Sequence, residues 1–478
     1  MNIKFVIPTL LTAASLSLMS CKKWLDVSPK TQIRESVLLS DEQGFKDALT
    51  GVYLKMGANT IYGQNLTMGF LDALAQRYTV SATTHTFYQS AYKFNYADVS
   101  AKNYISAIWG GLYSAIANAN NIITQIDDRK ELFSGNNFNQ VKGEALALRA
   151  LMHFDVLRMF GASPAVDLQK KSIPYVTRFG VDVYPLLPIA AVMDSCLKDL
   201  ADAEQLLSND KEIRNAYNQD AFLSYTRNHM NYWAVKGLQA RIYLYRGDKV
   251  NALNAALAVI NNKGDRFPFV NTTQAGATTN RDRLYYSEHL FALYAYKLKA
   301  YTEAYTKTNT AGGTPTTVTS STNLNTLYEI SSGGSSDIRY NYQFQAYSSS
   351  YATSKYWQDD IVTSSAYDYL KNLVPIIRLS EMYYIAAECA SGAAEGVAYL
   401  NVIRAARGLG ALATTISSTT LTAEILKEYK KEFYAEGQLF YYFKRLNAAK
   451  IDGNTLAAGE AVYVLPMPDN EIEFANRF

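Results

Sequence analysis

Apolar side chains recur at steps of three and four through several stretches of this chain, the spacing of a helix with one buried face. Phe45, Ala48, Leu49, Val52, Tyr53 and Met56 form one such stripe. Ser40-Asp-Glu-Gln43 ahead of it has the form of a capping box, and Gly57 is expected to end it. A second stripe over residues 102–126 places Ile105, Ile108, Trp109, Leu112, Tyr113, Ile116 and Ile123 on one face. Trp109 is therefore read as core, and Asn118, Asn120 and Asn121 as amides that anchor a loop. The same periodicity predicts helices over 140–160, 193–207, 231–246, 249–260, 378–390, 395–407 and a long one over 422–447. Gly247-Asp248 joins two of these into an antiparallel hairpin, and glycines punctuate the pair over 378–407 in the same way. Recurring helical hairpins predict a mostly α, tetratricopeptide-like scaffold, although no clean 34-residue repeat is readable.

Two stretches lack the helical period. Residues 57–100 contain Asp72, Arg77, Tyr78, Phe87, Tyr88 and Tyr92. Residues 267–373 contain the Gly/Ser/Thr-rich run AGGTPTTVTSSTNLNT, followed by Tyr340, Tyr342, Tyr347, Tyr351, Tyr356 and Trp357. Irregular segments this long are uncommon inside a compact domain unless they carry function. Composition sharpens the point, since the chain has 37 Tyr against 20 Phe and 4 Trp. Tyrosine joins a flat apolar face to a hydroxyl at its edge, which suits half-wet grooves. The chain reads as a helical scaffold displaying two large aromatic insertions, which together form a recognition surface.

Length and charge narrow the class. At 478 residues and 48% apolar content the chain can bury a large core, and about 150 residues per domain sets a prior of up to three domains. A net charge of +3 without long same-sign runs gives no footprint for nucleic acid. His85, His153, His229 and His289 are scattered, with no metal-ligand spacing, so no transition-metal site is expected. No P-loop or Gly-x-Ser-x-Gly is present, and neither a cofactor nor catalysis is expected.

The N-terminus carries its own signal. Lys4, an apolar run over residues 5–20 broken by Pro8, and Leu18-Met-Ser-Cys21 have the pattern of a lipoprotein export signal, too short to span a bilayer comfortably. Cleavage would free Cys21 to take acyl chains on its sulfur and amino group, and more than one chain gives a stable anchor. Residues 1–20 are thus read as a signal peptide, and 21–40, which include Pro29, as an extended leader. The remaining cysteines, Cys196 and Cys389, fall in separate helical segments and make no disulfide framework.

Several segments taken in order resemble one family. The mature start Cys21-Lys-Lys-Trp-Leu-Asp-Val-Ser-Pro29, Glu144-Ala-Leu-Ala-Leu-Arg-Ala150 with Met159-Phe-Gly161 and Pro164, and Pro375-Ile-Ile-Arg-Leu-Ser-Glu381 with Ala387-Glu388 resemble the SusD/RagB lipoproteins. So do Leu400-Asn-Val-Ile-Arg-Ala-Ala-Arg-Gly408 and Leu465-Pro-Met-Pro-Asp-Asn-Glu-Ile472. One departure is visible. Glu436, Gly437 and Arg445 match the family's Glu-Gly-x-Arg-x-x-Asp-x-x-Arg, but Leu439 and Tyr442 stand where arginine and aspartate are usual. The resemblance implies one SusD-like domain over residues 21–478, anchored in the outer membrane and exposed at the cell surface. By the same resemblance it captures an oligosaccharide, or in some branches a peptide, for a SusC-like TonB-dependent transporter.

Sugar rings stack a face of CH groups on an aromatic plane while polar side chains meet their hydroxyls. On that chemistry the expected ligand contacts are Asp72, Tyr78 and Tyr88 from the first insertion and Tyr340 and Trp357 from the second. Two other classes compete. An enzyme would rely on Asp72 as its first carboxylate, and a tetratricopeptide adaptor would work through its helix faces and ignore the tyrosines.

Overall fold

The computed structural model describes residues 38–79, 88–215, 221–307, 315, 317–347, 349–454 and 456–475. Cys21, the signal and most of the leader lie outside them. Six long helices come first: α1 (Glu42–Met56), α2 (Val99–Ile126), α3 (Asn137–Phe160), α4 (Ile189–Leu207), α5 (Tyr232–Arg246) and α6 (Lys249–Ile260). After the second insertion follow α8 (Leu379–Cys389), α9 (Ala393–Ala406), α10 (Ser418–Glu432) and α11 (Gln438–Arg445). Each long helix packs on its neighbour in the chain, and α6 packs on α8 across the insertion. The stack is thus quasi-one-dimensional, as expected for helical hairpins that cannot bury their apolar faces alone. The expected mostly α scaffold is the one observed. One large apolar core runs through it from Leu39 to Leu465, with a small separate cluster of Val270, Ala275, Tyr285 and Ile338 in the second insertion.

Helix α3 is the axis of the stack and is buried nearly all round. Its polar residues are therefore matched one by one. Arg149 forks onto Asp199 of α4 at 2.7 Å from both Nε and Nη2 and reaches Asn120 Oδ1 of α2 at 3.0 Å. Asn120 in turn donates to Val176 O at 2.9 Å, the loop-anchoring role expected of it. Tyr62 donates to Asp155 at 2.6 Å. Trp109 is core, as expected, at 6% exposure with Phe160 4.7 Å away edge-on. The terminal Leu465-Pro-Met-Pro segment pins the end of α3 through Leu465 N donating to Met159 O at 3.1 Å. Cys196 and Cys389 are buried and unpaired.

Three expectations need correction. The N-cap of α1 is Asp41, which accepts from Gly44 N at 2.8 Å, one residue later than the Ser40 box. The stretch 267–373 is not structureless. It holds β1 (His289–Tyr294), α7 (Leu298–Thr306), β2 (Val318–Ser320), β3 (Phe344–Tyr347), β4 (Ser350–Thr353) and β5 (Leu373–Arg378). β1 pairs antiparallel with β5, His289 opposite Arg378, and β4 lies between β2 and β3. Its Ser/Thr-rich strands are short and interrupted, which hides their alternation in the sequence. Finally, the long helix expected over 422–447 breaks at residues 433–437, where Ala435 and Gly437 adopt left-handed φ of 64° and 69°. A Cβ on Gly437 would lie 2.2 Å from Leu66 O, so the close approach of the first insertion requires both glycine and the break. Leu439 and Tyr442, the departures from the family pattern, are buried apolar packing, with Tyr442 4.8 Å from the Tyr429 ring.

The insertions are fastened to this break by buried charges. Glu432, at the end of α10, accepts from Arg407 Nε (3.0 Å) and Nη2 (2.6 Å) of the α9 end, from Arg339 Nη1 (2.9 Å) of the second insertion, and from Arg378 of β5. Burial alone would raise its pKa, but Arg407 and Arg378 hold it well below the usual carboxylate range. Arg407 also forks onto Glu288 at 2.7 and 2.6 Å, and Arg339 onto Asp337 and Glu428. Replacing Glu432 by Ala takes one carboxylate partner from each of three guanidinium groups at 0–1% exposure and leaves the buried network with excess positive charge. The expected cost is about 3–5 kcal/mol, read as a lowered urea midpoint.

A second clasp joins α1, α3 and the entry to α5. Tyr53 and His229 both bond the buried Glu144, with His229 Nδ1 at 3.0 Å from Oε2, and Met230 N donates to Tyr53 Oη at 2.8 Å. Burial lowers the His229 pKa and Glu144 raises it more, leaving it above its ordinary 6.5. A pKa raised by folding adds stability that is full below about 6.5 and lost as pH rises through the folded value. The melting temperature is expected to fall over that window above pH 6.5 in the native protein, and the His229→Gln variant to lose this step.

Candidate functional site

The residues expected to contact ligand fall into three environments. Asp72, in the short helix Phe70–Leu74, has no exposed surface. Its Oδ2 accepts from Ala435 N (2.6 Å) and Tyr78 Oη (3.2 Å), and its Oδ1 accepts from Gly437 N (3.0 Å). These are backbone groups left unpaired where the helix breaks between α10 and α11. The expectation that Asp72 meets ligand is therefore corrected: it plugs the break and ties the first insertion to it. Burial pushes its carboxyl up to about 7, against the opposing pull of Arg77 and of the two N–H groups.

Tyr78 is likewise largely buried, at 3% exposure, with its hydroxyl donating to Asp72. It begins an aromatic ladder in which Tyr434 lies 5.7 Å from Tyr78, Phe344 5.0 Å from Tyr434, Tyr328 5.7 Å from Phe344 and Tyr340 5.7 Å from Tyr328. Tyr340 ends the ladder at the surface, its hydroxyl donating to Asn325 Oδ1 at 2.9 Å. Trp357 is partly exposed, but its indole N–H donates to Thr306 Oγ1 at 2.8 Å and the Lys307 ammonium sits 5.0 Å over its ring. That ammonium occupies one face a sugar would need.

Tyr88 stands in a different setting. It packs against Tyr104 of α2, centroids 4.8 Å apart, and Tyr305 of α7, 6.1 Å apart, the three rings inclined by 31–39°. Its hydroxyl donates to Asn65 Oδ1 and accepts from Gln64 Nε2, both at 2.8 Å. Tyr88 is itself 3% exposed and left-handed at φ 58°. Gly69 makes room for it, since a Cβ there would come within 2.5 Å of the Tyr88 oxygen. The seat is thus built with Tyr88 beneath and the partly exposed Tyr104 and Tyr305 beside it. Asn59, Thr60, Gln64, Asn65 and Asn103 add polar groups around a shallow cleft of about 510 Å³. Burial, with Tyr305 and Tyr104 close by, keeps the Tyr88 phenol neutral far above its ordinary 10.

Aromatic planes ringed by uncharged amides and hydroxyls can stack an apolar ring face and bond the groups at its edge. This is chemistry for holding a neutral polar molecule. Tyr104 and Tyr305 were not singled out from the sequence. Each lies on a helix, and the only available signal was that Tyr104 falls beside the apolar stripe of α2 rather than on it. Among the described residues no cluster of His, Cys, Asp and Glu could hold a metal ion, and no helix is long and apolar enough to cross a membrane.

The scaffold and the face it carries define a helical-repeat binding protein with a loop-built recognition surface. Residues 208–465 match the model of the SusD family, and residues 23–244 match a SusD-like model described as starch-binding associating with outer membrane. The chain belongs to the SusD family. SusD-like protein P25 of Formosa agariphila is 24% identical over 250 residues, 51% of this chain and 44% of the relative. SusD-like protein P2 of the same organism is 23% identical over 251 residues, 52% of this chain and 45% of the relative. The chain thus spans less than half the length of either. A SusD superfamily structure from Bacteroides thetaiotaomicron superposes with a TM-score of 0.69 at 22% identity, covering 91% of this chain and 98% of the other. A laminarin binding SusD-like protein superposes at 0.63 and 18% identity, covering 91% and 97%.

Asp72→Asn separates plugging from ligand binding. The amide would turn a donor toward an N–H that now has an acceptor, and the expected loss is about 2 kcal/mol of stability in urea unfolding. Ligand affinity at temperatures where the variant stays folded is expected to be unchanged.

Proposed function

We propose that this protein captures an oligosaccharide at the outer surface of the cell, held by acyl chains on Cys21, and delivers it to a TonB-dependent transporter. The observation that carries the reading is the Tyr88, Tyr104 and Tyr305 seat with its ring of amides. The seat is assembled from both insertions and α2, so the scaffold fixes the spacing of rings that are far apart in sequence. The family description, starch-binding associating with outer membrane, and the laminarin-binding structural neighbour support a glycan as the ligand. The export pattern ending at Cys21 supports a lipid anchor. Residues 21–478 act in this reading as one unit, because the main core draws on the described part of both matched regions.

Calorimetric titration of the full-length protein in detergent against a panel of oligosaccharides and mixed peptides tests this. One glycan is expected to bind saturably, and Tyr305→Ala is expected to weaken it about tenfold, the effect of losing one stacking face at roughly 1–1.5 kcal/mol. The melting temperature should stay within a few degrees of native. Binding of peptides alone would move the protein to the peptide-importing branch of the family.

A further inference from the structure

A separate cleft of about 850 Å³ lies between residues 76–79 of the first insertion, β2 with the helix Ser321–Leu327, α10 and the Asp452-Gly453 turn. Its floor is aromatic: Tyr78 meets Tyr434 edge-on, and the Arg77 guanidinium sits 4.8 Å over the Tyr434 ring. Two adjacent side chains in it have unused hydrogen-bonding capacity. Arg77 donates from Nη2 to Lys430 O at 3.1 Å, and its Nε is buried with no acceptor among the described residues. Gln76, held at a left-handed φ of 58°, donates from Nε2 to Ala73 O and Tyr92 O, while its Oε1 is buried with no donor among the described residues.

The charges in this cleft point to the partner. Lys430 and Asp452 lining it pair with each other, and Asp72 beneath Arg77 already accepts from Ala435, Gly437 and Tyr78. Among the described residues no carboxylate is bonded to the guanidinium, which lines the cleft. A planar guanidinium braced on an aromatic ring is suited to a carboxylate or sulfate, which it binds through paired, charge-assisted hydrogen bonds. The neighbouring amide oxygen asks for a hydroxyl donor. An acidic sugar carries both on adjacent carbons of one ring. Thr319, Asn323 and Thr326 add uncharged groups along the opposite wall.

We propose that this cleft is a second saccharide site that selects an acidic sugar, Arg77 taking its carboxylate or sulfate and Gln76 a neighbouring hydroxyl. The proposal rests on the reading of the protein as a glycan binder, and adds a charge preference that the neutral tyrosine seat does not have. It adds an anion filter to a protein whose tyrosine seat stacks rings without regard to charge.

The test is an array of oligosaccharides in matched neutral, carboxylated and sulfated forms, probed with the full-length protein and with Arg77→Gln, Thr326→Glu and Tyr305→Ala. Native protein is expected to bind one acidic set about tenfold more tightly than its neutral match, and that set identifies the anion. Arg77→Gln should abolish the preference. Thr326→Glu, at an exposed position on the rim, should reduce it without lowering the melting temperature, which guards against misfolding of the Arg77 variant. Equal binding of neutral and acidic forms, or a preference that survives both variants, overturns the proposal. If that binding is still weakened by Tyr305→Ala, glycan capture stands without it. A native protein that binds no glycan, or only acidic peptides, overturns both.

Discussion

The seating of the second insertion on the helical stack depends on how Glu432 is held. A carboxylate with no solvent exposure is tolerable only if its charge is balanced on all sides, and here Arg339, Arg378 and Arg407 converge on it from three different segments. Each arginine has further obligations, to Asp337 and Glu428, to Glu436, and to Glu288. The consequence is geometric. Two small sheets and several short helices, none able to fold alone, are oriented against α8–α10 by charges that accept only one arrangement.

The same network explains why the family was legible from sequence while the ligand contacts were not. Arg378, Glu381, Arg407 and Glu436, all in the recognisable motifs, belong to the fastenings, and Glu381 forks onto Arg241 at 2.6 Å from each oxygen. Motifs of this kind report how the body is held together. Helix positions were readable because the 3.6-residue period survives wherever one face is buried, as in α2, and even in α3 the length and the flanking turns marked the element. The break between α10 and α11 was not readable. Leu439, Phe440 and Phe443 continue a helical stripe, and only the contact of Gly437 with Leu66 O, a tertiary fact, forces the chain out of it.

Asp72 illustrates a further limit. A carboxylate in an irregular, polar stretch resembles a ligand contact, yet irregular backbone has its own unmet N–H groups, and the nearest polar side chain is recruited to them first. Tyr88 is marked by what surrounds it rather than by its type. The rings that make it part of a seat come from α2 and α7, positions separated from it by 16 and more than 200 residues. No local pattern encodes such a meeting.

The break at residues 433–437 joins the two insertions at one point. Asp72 of the first occupies Ala435 N and Gly437 N, while Lys355 of the second bonds Glu432 O, Tyr434 O and Glu436. The stretch therefore acts as a common keystone, and the two arches that meet on it keep a fixed span. Loops between the springing points can change length and composition while that span stays the same. Ligand preference can in this way diverge from one relative to the next on a body that does not have to be rebuilt.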